Sequence, residues 1–399
     1  MPRSSHSRSD KPQTSRLANQ LVRAAKCWFT SESRYEETQW EAEIQTLLTS
    51  LLSKGRDRDI ERALETLTSS HPDAAGLVLE LAQYLTEFTQ VEHDGQQWDC
   101  LLMSAPLLAW TRYSVPAVTL KPEVIAHLVE GLKHLVLAPG VNVHCMPKLL
   151  SPIEMPLSYP QIRHWLQVLS DAAIKGKRAG PPINEFPKGL TLLADPRHLI
   201  LVATVPAGQP ILRWIQDPSV TREQCLKKWQ AYCENVFTDL FAGCQIEVLL
   251  PNTYHSSNDM ADRKIRSVGI RASLDWMQSV LNVPASDMRA TVMAFGDELN
   301  SEYRIGYSIK GKSDVLYGTV WPVFMTEEDV ERDAGEMTEL DEIAQTLKST
   351  GIGDIRFLPG MATPEYCSDC SAPLFPNPQG EIVHAEMPDE ALDAPHHFH

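Results

Sequence analysis

The chain reads as an α+β protein: a helical N-terminal region, then two mixed α/β halves, then a C-terminal tail built like a zinc knuckle. Three features predict this. Residues 17–95 carry apolar side chains at helical spacing, with cap residues between the runs. Beyond the turn signal His93-Asp94-Gly95, continuous apolar runs such as WDCLLMSAPLLAW alternate with amphipathic stretches, the pattern of buried strands interleaved with helices. Near the end, Cys367 and Cys370 have the C-x2-C spacing of a metal-binding turn.

Taken in order, residues 1–16 are basic and Ser-rich and are expected to be disordered. Three helices follow in the region 17–95. Trp40, Ile44, Leu47, Leu48 and Leu51 mark the first, with Gly55 placed as its C-terminal cap. Ile60, Ala63, Leu64 and Leu67 mark a second, ended by His71-Pro72, and Leu77, Leu81, Tyr84, Leu85 and Phe88 a third. Their short connections imply antiparallel packing.

The first α/β half spans 96–243. Its opening strand is expected to be bulged or broken at Pro106. Pro122 opens a helix with Val124, Leu128, Leu132 and Val136 on one face, closed by Pro139-Gly140, and Val141 to Met146 is a strand. A helix runs from about Tyr159 to Ile174. The segments HLILVATV and PILRWI then pair as a hairpin across Pro206 to Gln209. Thr221 and Gln224 form a capping box for a helix carrying Leu226, Trp229, Cys233 and Phe237, which stops at Gly243.

The second half spans 244–360. It opens with the strand QIEVLLP and a helix around Leu274 to Leu281, followed by the strands ATVMAFG, EYRIGYSI and VLYGTVWPVF. A helix with Ile343 and Leu347, capped near Gly351, and a last strand, DIRFLP, complete it. Both halves run from strand to helix to hairpin to helix, which hints at a divergent duplication without a residue-level repeat.

Composition bounds the function. At 399 residues, two or three compact units are expected. The 43% hydrophobic and 22% charged fractions exclude a chain that stays unfolded. No window approaches the roughly 18 to 20 uncharged apolar residues of a membrane span, and the N-terminus lacks the apolar segment of a secretory signal, so the expected compartment is the cytoplasm. Cys27, Cys100, Cys145, Cys225, Cys233 and Cys244 sit singly in apolar patterns, as small core hydrophobes in a reducing compartment do. Residues 326–399 hold 17 Asp/Glu against 3 Lys/Arg, a net of −14 out of the chain's −16. Such a tail repels phosphates, which argues against nucleic acid and leaves a protein partner as the expectation.

Chemistry concentrates in the tail 361–399. Cys367 and Cys370 can approach one ion tetrahedrally, while the turn between them aims backbone N–H groups at the sulfurs. A hairpin about Asn377-Pro378-Gln379-Gly380 would return His384 towards them. The fourth ligand is then sought among His396, His397, His399 or elsewhere, with His397 taken as the candidate, and a metal-free turn is the alternative reading. Two thiolates and two imidazoles suit Zn²⁺ in a structural role, since they close the coordination sphere and leave no water to activate.

No other catalytic pattern is present: no nucleophile elbow, phosphate loop, dinucleotide fingerprint or H-E-x-x-H. Arg112, Tyr113, His255, Glu302 and Arg304 fall at or beside strand ends, where ligand groups often lie, although ordinary surface or capping roles account for them better. Trp98, Trp110, Trp214, Trp229, Trp276 and Trp321 lack interleaved Lys/Arg and read as core. His127 and His134, seven apart, read as exposed helix residues.

The segments WDCLLMSAPLLAWTRYSVP, EYRIGYSI, GTVWP and YCSDCSAPLFPNPQGEIVHAEMP resemble, over nearly the whole chain, a proteobacterial family known as a domain of unknown function. The terminal His397-Phe398-His399 is similar to that family's usual ending. Ser371 departs from it, standing where glycine is expected after the second cysteine. The resemblance implies relatedness of fold and no activity. The function expected from these observations is a non-catalytic cytoplasmic interaction or regulatory protein with a structural metal knuckle. The alternative is an enzyme or small-ligand protein using a cleft between the halves, to which Arg112, His255 or Arg304 would contribute.

Overall fold

The computed structural model describes residues 15–176, 180–187, 192–296, 301–324 and 338–388. The α+β class holds. The N-terminal region has four helices rather than three: α1 (Arg16–Phe29), α2 (Arg34–Ser53), α3 (Asp57–Thr68) and α4 (Pro72–Glu87). The additional one, α1, starts where Ser15 accepts the Ala18 N–H and buries Leu21, Ala24 and Ala25. Its inner face combines Leu21 with Ala18, Ala24 and Ala25, and Leu17, Val22 and Trp28 pack beside them. Gly55 ends α2 as expected, with φ +62° and the Arg56 N–H returning to the Leu51 carbonyl at 3.0 Å. Leu21, Ile44, Leu48, Ile60, Leu67 and Val78 close a separate helical core.

The expected third helix ends one residue early, at Glu87. Phe88–His93 instead forms β1, which hairpins through Asp94-Gly95 into β2 (Gln96–Trp110). β3 (Val118–Thr119), α5 (Pro122–Leu135), β4 (Asn142–Leu150), α6 (Tyr159–Lys175) and β5 (Ala194–Pro206) follow. Then come α7 (Arg213–Gln216), α8 (Arg222–Leu240), β6 (Gln245–Val248) and β7 (Asn252–Thr253). The seven strands form one antiparallel sheet in the order β1-β2-β5-β4-β3, with β6 and β7 also paired to β2. α5 and α8 cover one face through Leu128, Leu132, Trp229 and Phe237, and α6 covers the other through Ile162, Trp165 and Leu166. Burial on both faces explains why β2 and β5 read as unbroken apolar runs.

Two expectations are corrected. β2 passes through Pro106 in register, Pro106 opposite His198, without bulge or break. The Pro106 carbonyl accepts the Leu249 N–H at 3.0 Å, so its missing N–H faces the gap between β6 and β7, where no ladder bond is lost. PILRWI is not the hairpin partner of β5. Both neighbours of β5 are already β2 and β4, and the segment makes a single bridge, Leu137 to Leu212, before turning into α7. The hairpin that made the two halves look alike is thus absent from the first.

The helix expected around Leu274 is the last third of α9 (Tyr254–Leu281), 28 residues long and about 42 Å. Its N-terminal part packs on the large sheet through Tyr254, Ala261 and, at mid-helix, Val268. Its second half supports a four-stranded sheet through Ile270, Leu274 and Met277. That sheet consists of β8 (Met288–Gly296), β9 (Ser301–Ile309), β10 (Tyr317–Val323) and β11 (Asp354–Ala362), in the order β10-β9-β8-β11, with β11 parallel to β8. α10 (Glu339–Ser349) joins α9 on the same face with Ile343 and Leu347. The opposite face carries the C-terminal segment, including β12 (Phe375–Pro376) and β13 (Ile382–Val383).

Candidate metal centre

The tail reaches the sheet through two glycines. Gly306 of β9 and Gly318 of β10 are cross-strand partners and project to the face away from the helices. A Cβ on Gly306 would overlap the Pro376 carbonyl, and one on Gly318 would overlap the Phe375 ring. The pair therefore forms a trench in which β12 lies, burying Phe375.

Beside the trench stands Arg304, fully buried. Its Nε donates to Glu302 Oε1 at 2.6 Å, and its Nη1 donates to the carbonyls of Glu365 and Leu374 at 2.7 and 2.8 Å. The guanidinium also lies between the rings of Phe295 and Tyr366, at 4.6 and 5.0 Å. Glu365 and Leu374 flank the knuckle and are joined by the Leu374 N–H to Glu365 carbonyl bond. Arg304 thus grips the base of the Cys367–Cys370 turn.

Above that base the chain folds back tightly. The Cys367 N–H donates to the Ala372 carbonyl, and the Ser371 N–H donates to the Cys367 carbonyl, at 2.8 and 2.9 Å. Ser371 takes φ +60°, the left-handed conformation that glycine adopts without cost. The N–H groups of Cys370 and Asp369 point at the Cys367 sulfur and, with the Cys370 thiol, hold the Cys367 thiol below its ordinary range.

The hairpin supplies the third group. Asn377 Oδ1 accepts the N–H groups of Gln379 and Glu381, both at 2.9 Å, and Gly380 turns the chain at φ +87°. β13 then pairs with β12, Val383 opposite Phe375, and places His384 next to the turn. His384 Nε2 lies 3.2 Å from Cys370 Sγ. The ligand atoms of Cys367, Cys370 and His384 all lie within 4.8 Å of one another, so the three could hold a metal ion. The Glu386 carboxylate is 3.7 Å from His384 Nδ1, too far for a hydrogen bond, and that nitrogen is buried without a hydrogen-bond partner. His396, His397 and His399 lie outside the described residues.

The remaining expected site residues do not converge. Arg112 lines a cavity of about 530 Å³ between the end of β2, β6 and α9, shared with Thr111, Gln245, Asp275 and Gln278. Its guanidinium stacks 5.1 Å over neighbouring Tyr113. His255 opens α9 and pairs its Nε2 with Thr86 Oγ1 at 2.9 Å, while burial pushes its pKa down to about 4. Glu302 and Arg304 serve the tail. Trp229 and Trp321 are core residues as expected. The His127 ring stacks on Tyr232 at 4.6 Å, and exposed His134 lies 3.9 Å from Glu130.

Sequence patterns missed the polar groups of the large sheet. His198 Nδ1 lies 2.9 Å from Ser104 Oγ, both buried, and burial with nearby Arg197 pushes the His198 pKa down to about 3. Arg197 pairs with Asp195, whose carboxyl burial raises to about 6. These pairs are buried inside the core, where Arg197 Nε has no hydrogen-bond partner. Only a strand register shows that Ser104 and His198 meet. The docking glycines were equally hidden, although both lie within the segments EYRIGYSI and GTVWP.

All eight cysteines are free thiols. Among the described residues, no helix is long and apolar enough to cross a membrane. A family model described as a protein of unknown function (DUF2863) matches residues 6–398. The chain belongs to that family. No curated protein and no solved structure matches it.

Proposed function

We propose, for a chain whose family description names no activity, that it is a non-catalytic cytoplasmic interaction or regulatory protein whose Cys367–Cys370–His384 knuckle carries a structural Zn²⁺ ion. The observation that carries this reading is the convergence of three ligand atoms within 4.8 Å on a turn held from below by Arg304. Two thiolates and an imidazole suit zinc, and His397 is the proposed fourth ligand. Such a set leaves no open position for a reacting water, which favours a structural role. The free thiols support a reducing compartment. The acidic charge concentrated beyond residue 325 favours a protein partner over nucleic acid.

The test is metal content by mass spectrometry on untagged protein purified without chelator. One zinc per chain in the wild type and none in Cys367→Ser/Cys370→Ser is the expected result. A metal-free wild type overturns it.

A second reading, small-ligand binding, is favoured by the cavity at Arg112. Its volume is in the range of small-molecule sites, and Arg112 and Asp275 both line it. A ligand that raises the wild-type Tm but not that of Arg112→Ala would support this reading. Equal shifts in both would remove it.

A further inference from the structure

We propose that Cys367 and Cys370 are a peroxide-reactive pair whose oxidation to a disulfide expels the metal from the knuckle while the tail stays docked. This rests on the metal-bound reading above.

The pair differs from the buried thiols of the chain. Cys100, Cys145, Cys225 and Cys233 are buried, and burial pushes each of their thiols up, Cys145 to about 12. Cys370 is exposed and Cys367 half-exposed, with their sulfurs within 4.8 Å. Closing that gap to the roughly 2.05 Å of a disulfide needs only movement of the turn that carries them. The backbone N–H groups of Asp369 and Cys370 are aimed at the Cys367 sulfur, and a sulfur attacks peroxide as its thiolate.

The chemistry balances with hydrogen peroxide as the oxidant. The Cys367 thiolate attacks one peroxide oxygen, the O–O bond breaks, and hydroxide leaves and takes up a proton, giving a sulfenic acid at Cys367. The Cys370 thiolate then attacks the Cys367 sulfur, the S–O bond breaks, and a second hydroxide leaves as water. Two thiolates, one peroxide and two protons become one disulfide and two waters. Two electrons pass from sulfur to oxygen, and the ion loses both of its soft ligands.

The consequence stays local because none of the tail's anchors uses a cysteine sulfur or a metal. Phe375 and Pro376 fill the Gly306–Gly318 trench, and Arg304 holds two backbone carbonyls. Beyond His384, the Glu386 N–H donates to the Val315 carbonyl at 2.9 Å, and Met387 packs on the core of the small sheet. Oxidation would therefore change the tip and free His384 without unfolding the domain.

The experiment uses full-length protein loaded with one equivalent of Zn²⁺, treated with hydrogen peroxide, and followed with a chromophoric zinc chelator, thiol titration, peptide mass spectrometry and circular dichroism. The expected result is one zinc released per disulfide, located in the peptide carrying both cysteines, reversed by dithiothreitol, with the dichroism unchanged. In Cys370→Ser, a sulfenic-acid trap should label Cys367. Zinc retained while peroxide is in excess, or zinc released with over-oxidised sulfur and no disulfide, overturns the proposal. Loss of the folded spectrum on oxidation overturns its local character. A chain that takes up no zinc before oxidant is added shows instead that the metal reading itself has failed.

Discussion

Gly306 and Gly318 face each other across β9 and β10, and the tail lies in the space that their missing side chains leave. That relationship makes the C-terminal segment part of the small domain rather than an appendage. The face of the sheet opposite α9 and α10 is covered by the chain's own end.

Filling the trench should undock the tail. Gly318→Ala pushes a methyl into the Phe375 ring and is expected to cost about 1–3 kcal/mol, as overpacking does. Gly306→Ala meets backbone at Pro376 and should cost more. Because the Gly318 clash is with a side chain, Gly318→Ala/Phe375→Ala should be less destabilised than the sum of its single variants. Strict additivity in urea denaturation would refute the trench.

Removing the clamp should loosen the knuckle's base. Arg304→Lys keeps the charge but cannot reach Glu302 and two carbonyls at once, so a loss of about 2–4 kcal/mol is expected, near that of Arg304→Met. Limited proteolysis between residues 359 and 374 should then run faster than in the wild type. Full rescue by lysine would show that charge alone matters.

Ser371 should be replaceable in one direction only. Its φ of +60° is disfavoured by a side chain and more so by a branched one, so Ser371→Val should lose about 1–2 kcal/mol of tip stability and bind zinc more weakly. Ser371→Gly should bind at least as tightly as the wild type. Zinc competition titrations would compare the three.

Burial raises the carboxyl of Glu87 to about 7, against bonds from the His255 N–H and Thr253 that partly offset it. A raised carboxyl pKa means that stability is fully present below the ordinary carboxyl range and declines as pH climbs to about 7. Glu87→Gln should therefore be more stable than wild type by about 1–3 kcal/mol at pH 8, with the gap closing towards pH 4.5. His255 works the other way. Held neutral with a pKa of about 4, it contributes stability above its ordinary range that is lost as pH falls from 6.5 towards 4. Parallel pH profiles for wild type and Glu87→Gln would contradict the assignment.

What the sequence by itself determined is local. Gly55, Pro122 and the Thr221–Gln224 box mark helix ends because caps act within one turn. The strands β8 to β10 and the turn at Asn377 to Gly380 are legible for the same reason, as is the C-x2-C spacing. What only the tertiary structure decided depends on residues far apart in the chain. PILRWI could have been a strand, but β2 and β4 already occupy both edges of β5. Pro106 should have broken a central strand, yet its missing N–H falls where the neighbouring ladder is interrupted. Arg304 could have been a ligand group at a strand end, but the returning tail captured it with two carbonyls some sixty to seventy residues away. Short-range patterns carry cap, turn and period. They carry no register, and register is what brings Gly306 to Gly318, Ser104 to His198 and Arg304 beneath the cysteines.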